Sequence, residues 1–164
     1  MIIRSNLKRD IFLAMLAVLA VSTTSVFGQI ATYPNLSPWF AGLIKPSFNP
    51  PNWIFGPVWT TLYALMAFAL WRILRLPSGS TGYRLAVRLF FLQLAFNAAW
   101  SWLFFWAHSP LLGLINIVPQ LLLIIATIGA FARLDRLAAW CLAPLAAWVA
   151  YASVLNFSLW WLNS

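Results

Sequence analysis

The sequence predicts an all-α integral membrane protein, a five-transmembrane-helix bundle formed by one domain over residues 1–164. Three observations carry this. Charged residues make up 7% of the chain and hydrophobic ones 63%, with a mean hydropathy of +0.87, whereas a soluble domain carries roughly 25% charged residues. The apolar residues fall into five runs, about 11–31, 54–75, 85–107, 111–131 and 138–161, each near the ~20 residues a helix needs to cross ~30 Å of hydrocarbon. The positive charges lie between alternate runs. Backbone groups cannot stay unpaired in lipid, so each run is expected to be helical, and the alternating pattern of a β-barrel is absent.

The first run begins after "MIIRSNLKRD" and ends near "STTSVFGQ". A basic start, an apolar middle and small residues beyond also describe a signal peptide. The stretch from Ile11 to Ala31 is long enough to cross a bilayer if Ser22 to Ser25 face other helices, and it is read as a spanning helix. The second and third runs are joined by "PSGSTG", a flexible turn. The third and fourth are joined by "HSP", which makes them antiparallel neighbours. Arg4, Lys8 and Arg9 precede the first run, Arg72, Arg75, Arg84 and Arg88 bracket the 2–3 connection, and Arg133 and Arg136 lie between the last two runs; Lys45 alone falls on the other side. The positive-inside rule then places the N-terminus in the cytoplasm and the 1–2 loop and C-terminus outside. Such a chain suits a bacterial inner membrane. The net charge of +8 is explained by topology, and no nucleic-acid partner is expected.

The 1–2 loop, residues 32–53, is long for a compact protein, and such loops are usually functional or disordered. Pro34, Pro38, Pro46, Pro50 and Pro51 restrict its backbone and push each preceding residue toward extended geometry. Trp39, Phe40, Phe48 and Trp53 call for burial. A stiff aromatic lid over the outer end of the bundle is expected.

The amide and hydroxyl side chains that stand out inside the last three runs are not ionisable. Gln93, Asn97 and Ser101 share one face of the third, Asn116 and Gln120 one face of the fourth, and Asn156 lies in the fifth. Interhelical hydrogen bonding, worth about 0.6–2 kcal/mol per contact, accounts for them, and the lining of a cavity is the functional alternative. Trp71, Trp106, Trp140, Trp160 and Trp161 lie near run ends and suit an interfacial belt. Trp100 and Trp102, on different faces of the third run, suit it less well, Trp148 lies near the middle of the fifth, and a buried indole N–H needs a partner or a ligand. Ala95 and Ala99 form a small-xxx-small pair that lets helices approach closely.

Catalytic patterns are sparse. His108 lacks a carboxylate neighbour and reads as a solvated loop residue, Asp135 reads as local balance between Arg133 and Arg136, and Cys141 has no partner for a disulfide. No metal or cofactor is expected. No helix carries a proton-relay carboxylate of the kind a proton-driven pump uses.

The stretch "WFAGLIKPSFNPPNWIFGPVWTTLYALMAFALW" (39–71) resembles the signature of the translocator protein family, the tryptophan-rich sensory proteins of bacteria and the peripheral benzodiazepine receptors of mitochondria. "QLAFNAAWSWLFF" (93–105) and "PLAAWVAYASVLNFSLW" (144–160) are similar to that family's third and fifth helices. The resemblance implies a five-helix bundle, commonly a homodimer, with a pocket under the 1–2 loop that takes porphyrins, sterols and synthetic benzodiazepine-type ligands. It places Trp39, Trp53, Asn97, Trp100, Trp148 and Ala152 near that pocket and the Ala95/Ala99 pair at a dimer contact. Trp53 and Trp148 match tryptophans tied to a porphyrin-degrading chemistry proposed for the family. The vertebrate cholesterol motif is incomplete here, since Leu155 is followed by Phe157 and no basic residue occurs through Ser164.

Together these residues predict an aromatic box of Trp39, Phe48, Trp53, Trp59, Trp100 and Trp148, with Asn97, Ala152 and Asn156 beside it. Lys45 would pair with a ligand carboxylate. The expected function is a membrane receptor or sensor for tetrapyrroles such as protoporphyrin IX; a tetrapyrrole transporter and a light-dependent porphyrin-degrading enzyme are the alternatives.

Overall fold

The computed structural model describes residues 7–164; Arg4, counted above among the basic residues, lies outside them. Five helices are long and apolar enough to span a membrane: α1 (Leu7–Thr32), α2 (Asn52–Leu74), α3 (Tyr83–Ser101), α4 (Pro110–Ala132) and α5 (Arg136–Leu162). Helix α1 packs on α2 and α3, α2 on α5, α3 on α4, and α4 on α5. The helices therefore close a ring in the order α1–α2–α5–α4–α3. Helices α2 and α3, consecutive in the chain, touch little, because α1 lies against both.

Three helices contain a proline, Pro57 in α2, Pro119 in α4 and Pro144 in α5. Neighbouring helices and side chains can satisfy the backbone groups a proline frees in a membrane span. Pro110 begins α4, where a missing N–H costs nothing, and the Ser109 side chain caps that helix at the Leu112 amide.

In lipid the drive for helix association is close packing and hydrogen bonding rather than removal of apolar surface from water. The interfaces are built accordingly. Helix α1 turns Ala17, Val21, Gly28 and Ala31 inward, and a Cβ on Gly28 would sit 3.1 Å from Ser101 Oγ. Gly113 of α4 is tighter still, since a Cβ there would meet Asn156 Oδ1 and Phe104 Cδ2, each at 2.8 Å.

The arginine-bearing end is locked by charge. Asp10 of α1 pairs with Arg75 at 3.1 Å, and Asp135 pairs with Arg72 at 2.7 Å. Trp71 donates its indole N–H to the Asp10 carbonyl, and Arg9 donates to that of Arg75. Lys8 and Arg9 lie inside α1 rather than ahead of it, and these contacts bind the start of α1 to the end of α2. Asp135 is more than local charge balance. Its carboxylate caps α5 at the Ala138 amide and reaches back to α2. Burial by itself pushes the Asp135 carboxyl up, but the hydrogen bonds from Arg72 and Ala138 and the Arg72 charge outweigh it and hold it below the usual carboxylate range.

The 1–2 connection departs from the expected extended lid. Its first part continues the helix as a 3-10 turn (Tyr33–Asn35) and a π-helical turn (Leu36–Phe40). Pro34 sits in the first turn of the 3-10 segment, a position that tolerates proline. Ser37, at φ −139° and ψ 135°, breaks the helical geometry within the π-helical turn. Ala41 and Gly42 are still helical, so the irregular part of the loop is shortened to residues 43–51.

Candidate functional site

The end of the bundle opposite the arginines is aromatic. A second π-helical turn, Trp102–Trp106, extends α3 and buries Phe104 and Phe105 side by side. Around them gather Phe40, Leu155 and Leu159, with Trp39, Trp100, Phe55 and Tyr151 at the margin. Trp100 stacks on Phe104 at 4.8 Å between centroids, and Trp39 meets Phe104 edge-on at 5.5 Å. Trp100 and Trp102 point to different helices, as their spacing requires: Trp100 donates to Asn156 Oδ1 of α5 at 3.0 Å, and Trp102 donates to the Phe27 carbonyl of α1.

Asn156 is the hub of this layer. Fully buried, it accepts from Trp100 and donates to the Pro110 carbonyl at 2.7 Å, joining α3, α4 and α5. Asn97 accepts from Tyr63 of α2 at 2.9 Å, and Asn116 donates to the Phe96 carbonyl. These are the interhelical bonds expected of intramembrane amides. Gln93 differs: its side chain is buried and neither amide atom has a partner among the described residues.

Between α2 and α5 lies a second aromatic group. Phe55, Trp59 and Tyr63 share one face of α2 at four-residue spacing. Trp59 lies 5.3 Å from Tyr63, and Phe55 meets Trp148 of α5 edge-on at 5.8 Å. Trp148 in turn contacts Tyr151 at 5.6 Å. Trp59 and Trp148 are half-buried, and their indole N–H groups make no hydrogen bond among the described residues. Ala152, half-buried one helical turn beyond Trp148, keeps that wall small.

Above these rings, residues 41–51 are fastened at several points. Tyr151 donates its hydroxyl to the Phe48 carbonyl at 2.7 Å, and the two rings touch edge-on. Asn163 grips Ile44 from both sides, accepting from its N–H and donating to its carbonyl, each at 2.9 Å. Lys45 Nζ donates to the Phe40, Ala41 and Leu43 carbonyls and lies over the Phe40 ring. Its three protons are thus occupied by the end of the π-helical turn, and a ligand carboxylate would have to displace a carbonyl. His108 is exposed but docked rather than merely solvated: its ring stacks on Trp39 at 4.7 Å and bonds Asn35 at 2.7 Å.

Of the residues expected to form one box, the structure brings Trp39 and Trp100 into the inner cluster and Trp59, Trp148 and Phe48 into the outer group. Trp53 stands apart. It is 73% exposed and makes no ring contact among the described residues. Phe55, Tyr63, Phe104, Phe105, Tyr151 and Asn163 were not singled out from sequence. The spacing of Phe55, Trp59 and Tyr63 was an available signal; the grip of Asn163 on Ile44 was not. On α3, Ala95 is exposed and Ala99 half-buried.

A ring of five membrane-spanning helices, with uncharged amides joining them and an aromatic cluster beneath a tethered loop, defines an integral multi-pass membrane protein. The TspO/MBR family pattern matches residues 14–162, and the chain belongs to that family. It is 41% identical over 136 residues to the tryptophan-rich protein TspO of Chlorobaculum tepidum, covering 83% of this chain and 86% of that one. To the translocator protein of Homo sapiens it is 37% identical over 123 residues, 74% of this chain and 73% of the relative. The tryptophan-rich sensory protein of Cereibacter sphaeroides is 35% identical over 125 residues, 76% and 77%.

Proposed function

We propose that the protein is a membrane receptor that senses a flat aromatic ligand of the tetrapyrrole class, protoporphyrin IX among them, in the site between α2, α3 and α5 beneath residues 41–51. One observation carries this reading: Trp59 and Trp148, half-buried on adjoining helices, offer ring faces and unused indole N–H groups under a tethered loop. Offset or edge-on contacts with such rings are worth about 0.5–1.5 kcal/mol each beyond area burial. Trp39, Trp100, Asn97, Ala152 and Asn156 form the supporting walls, Phe48 and Lys45 belong to the roof, and Trp53 stands at the rim. The words "sensory" and "translocator" in the relatives' names fit a ligand-responsive membrane protein. The same reading places the arginine-bearing end in the cytoplasm by the positive-inside rule and pairs two copies through Ala95 and Ala99.

The test is a titration of the purified protein with protoporphyrin IX in the dark, followed by tryptophan fluorescence, with Trp148→Phe and Trp53→Phe alongside. Saturable quenching weakened about tenfold by Trp148→Phe supports the site. Quenching that never saturates, or is unchanged in both variants, refutes it. Repeating the titration under light and dioxygen tests the degradative alternative, which requires a new absorbing species that Trp53→Phe abolishes.

A further inference from the structure

The middle of the ring holds polar groups that the helix joints do not absorb. Gln93 and Asn97 of α3 and Asn116 and Gln120 of α4 are all buried. Each pair is four residues apart and lies on one face of its helix. Asn116 Nδ2 donates to the Phe96 carbonyl at 2.9 Å, so these turns of α3 and α4 lie side by side. They fall near the middle of the spans Tyr83–Trp106 and Pro110–Ala132.

Most of the hydrogen-bonding capacity of this seam is unused. Asn116 Nδ2 bonds Phe96, and Asn97 Oδ1 accepts from Tyr63. Both amide atoms of Gln93 are enclosed and unpaired. Gln120, the Asn97 Nδ2 group and the Asn116 Oδ1 atom also make no hydrogen bond among the described residues. Asn156 of α5 shows the contrast, because its amide oxygen accepts from Trp100 and its amide nitrogen donates to Pro110. A buried amide without a partner is costly, and native interiors supply one from protein or from ordered water.

The chemistry of the seam restricts what that partner is. Carboxamides present neutral donors and acceptors together, which suits a small neutral molecule that does both. The space restricts it further. Gln93 is 1% exposed, Gln120 2%, and Asn97 and Asn116 6% each, so only slivers of surface are open, enough for a water molecule to touch and too little for a larger ligand.

We propose that the α3–α4 seam is a binding site for ordered water, held by Gln93 and Gln120 with Asn97 Nδ2 and Asn116 Oδ1 as further partners. A buried water makes about three hydrogen bonds to groups that are otherwise unpaired. Here it joins two helices at a depth where lipid offers no hydrogen bond. The site depends on neither a tetrapyrrole nor the tethered loop.

The experiment uses the full chain in phospholipid bilayers, with the glutamine side chains labelled in the amide nitrogen. The chain has three glutamines, Gln29, Gln93 and Gln120, and Gln93→Met and Gln120→Met assign their lines. Solid-state NMR follows magnetisation transfer from water to each amide, and thermal unfolding follows stability. The expected result is fast transfer to both Gln93 and Gln120 in the wild type, although both are buried. Gln93→Met should cut the transfer to Gln120 at least twofold and lower the unfolding midpoint by a few degrees. Gln93→Met/Gln120→Met should lose little more than either single variant, because groups that share one partner do not add. The wild-type spectrum decides the central point even if a variant fails to fold. No transfer to either amide overturns the proposal. A raised midpoint in Gln93→Met also overturns it, since that is the response of a dry, unpaired amide to an apolar replacement of similar size. Lowered stability without water transfer gives the amides to each other and overturns it too. Transfer to Gln120 that is unchanged in Gln93→Met refutes a shared site.

Discussion

The two ends of the bundle are held by different chemistry. At the arginine-bearing end, α1, α2 and α5 are joined by two ion pairs, and Phe90 of α3 stacks on Phe131 of α4 at 5.8 Å. At the loop end, among the described residues, no ion pair is present. The loop is fastened by hydroxyl, amide and ammonium donors to backbone carbonyls, from Tyr151, Asn163 and Lys45. A neutral hydrogen bond contributes about 0.5–1.5 kcal/mol net, and a bond to a charged group about 1.5–3. The first end is therefore built to stay closed. The second can release its neutral fasteners, Tyr151 on Phe48 and Asn163 on Ile44, at modest cost, while the charged Lys45 bonds stay within the loop's own turn; that suits the ligand site proposed above.

Substitutions at the two ends sharpen this contrast. The largest effect is expected at Asn156. Replacing it with Ala removes the partner of Trp100 and leaves buried groups unpaired at about 1–3 kcal/mol each, so thermal unfolding should show a loss of about 2–4 kcal/mol. Next is Gly113→Ala, whose Cβ collides with Asn156 and Phe104. Overpacking of this kind costs about 1–3 kcal/mol, whereas Gly129→Ala, with open space around it, should leave the midpoint unchanged or slightly raised. A stable Gly113→Ala would break the account of the inner cluster.

Asp135→Ala should follow, at about 1–2 kcal/mol, because it removes both a helix cap and the partner of Arg72. Asp135 also sets a pH dependence. Its folded pKa is lowered, so its contribution is present above the ordinary carboxylate range and is lost as pH falls through the depressed folded value. Wild type should lose stability on acidification below about pH 4. Asp135→Asn should be less stable at neutral pH and less sensitive to acid. If both proteins show the same acid profile, the Arg72 pair does not lock this end.

The smallest effect on stability is expected for Asn163→Ala, within about 1 kcal/mol, because it frees only one end of a short loop. Its signature lies elsewhere: faster amide exchange at Ile44 with no change at the arginine-bearing end.

Much of this architecture was legible in the sequence. Five spans stand out because lipid demands long apolar runs. The loop was less legible. Pro34 and Pro38 suggested extended chain, but proline also fits the first turn of a helix, and only the packing of Phe40 against Phe104 and Phe105 selects the compact form. The cap role of Asp135 had a local signal, an Asp directly before an apolar run. Its pairing with Arg72 did not, since that contact spans 63 positions in sequence. Trp39, Trp59, Trp100 and Trp148 were readable as site candidates from their types and positions. The direction Trp53 faces was readable in the same way: two residues before Phe55, it lies about 200° around α2 from the face that Phe55, Trp59 and Tyr63 share.

The most direct test of the contrast is hydrogen–deuterium exchange across the whole chain, with and without saturating protoporphyrin IX in the dark. Residues 41–51 should exchange readily in the free protein and become protected with ligand, in a saturable way, while the ends of α1, α2 and α5 around Asp10, Arg72 and Asp135 stay protected throughout. Protection that appears nowhere in residues 41–51, or that appears first at the arginine-bearing end, would contradict the assignment of the ligand site to the tethered loop.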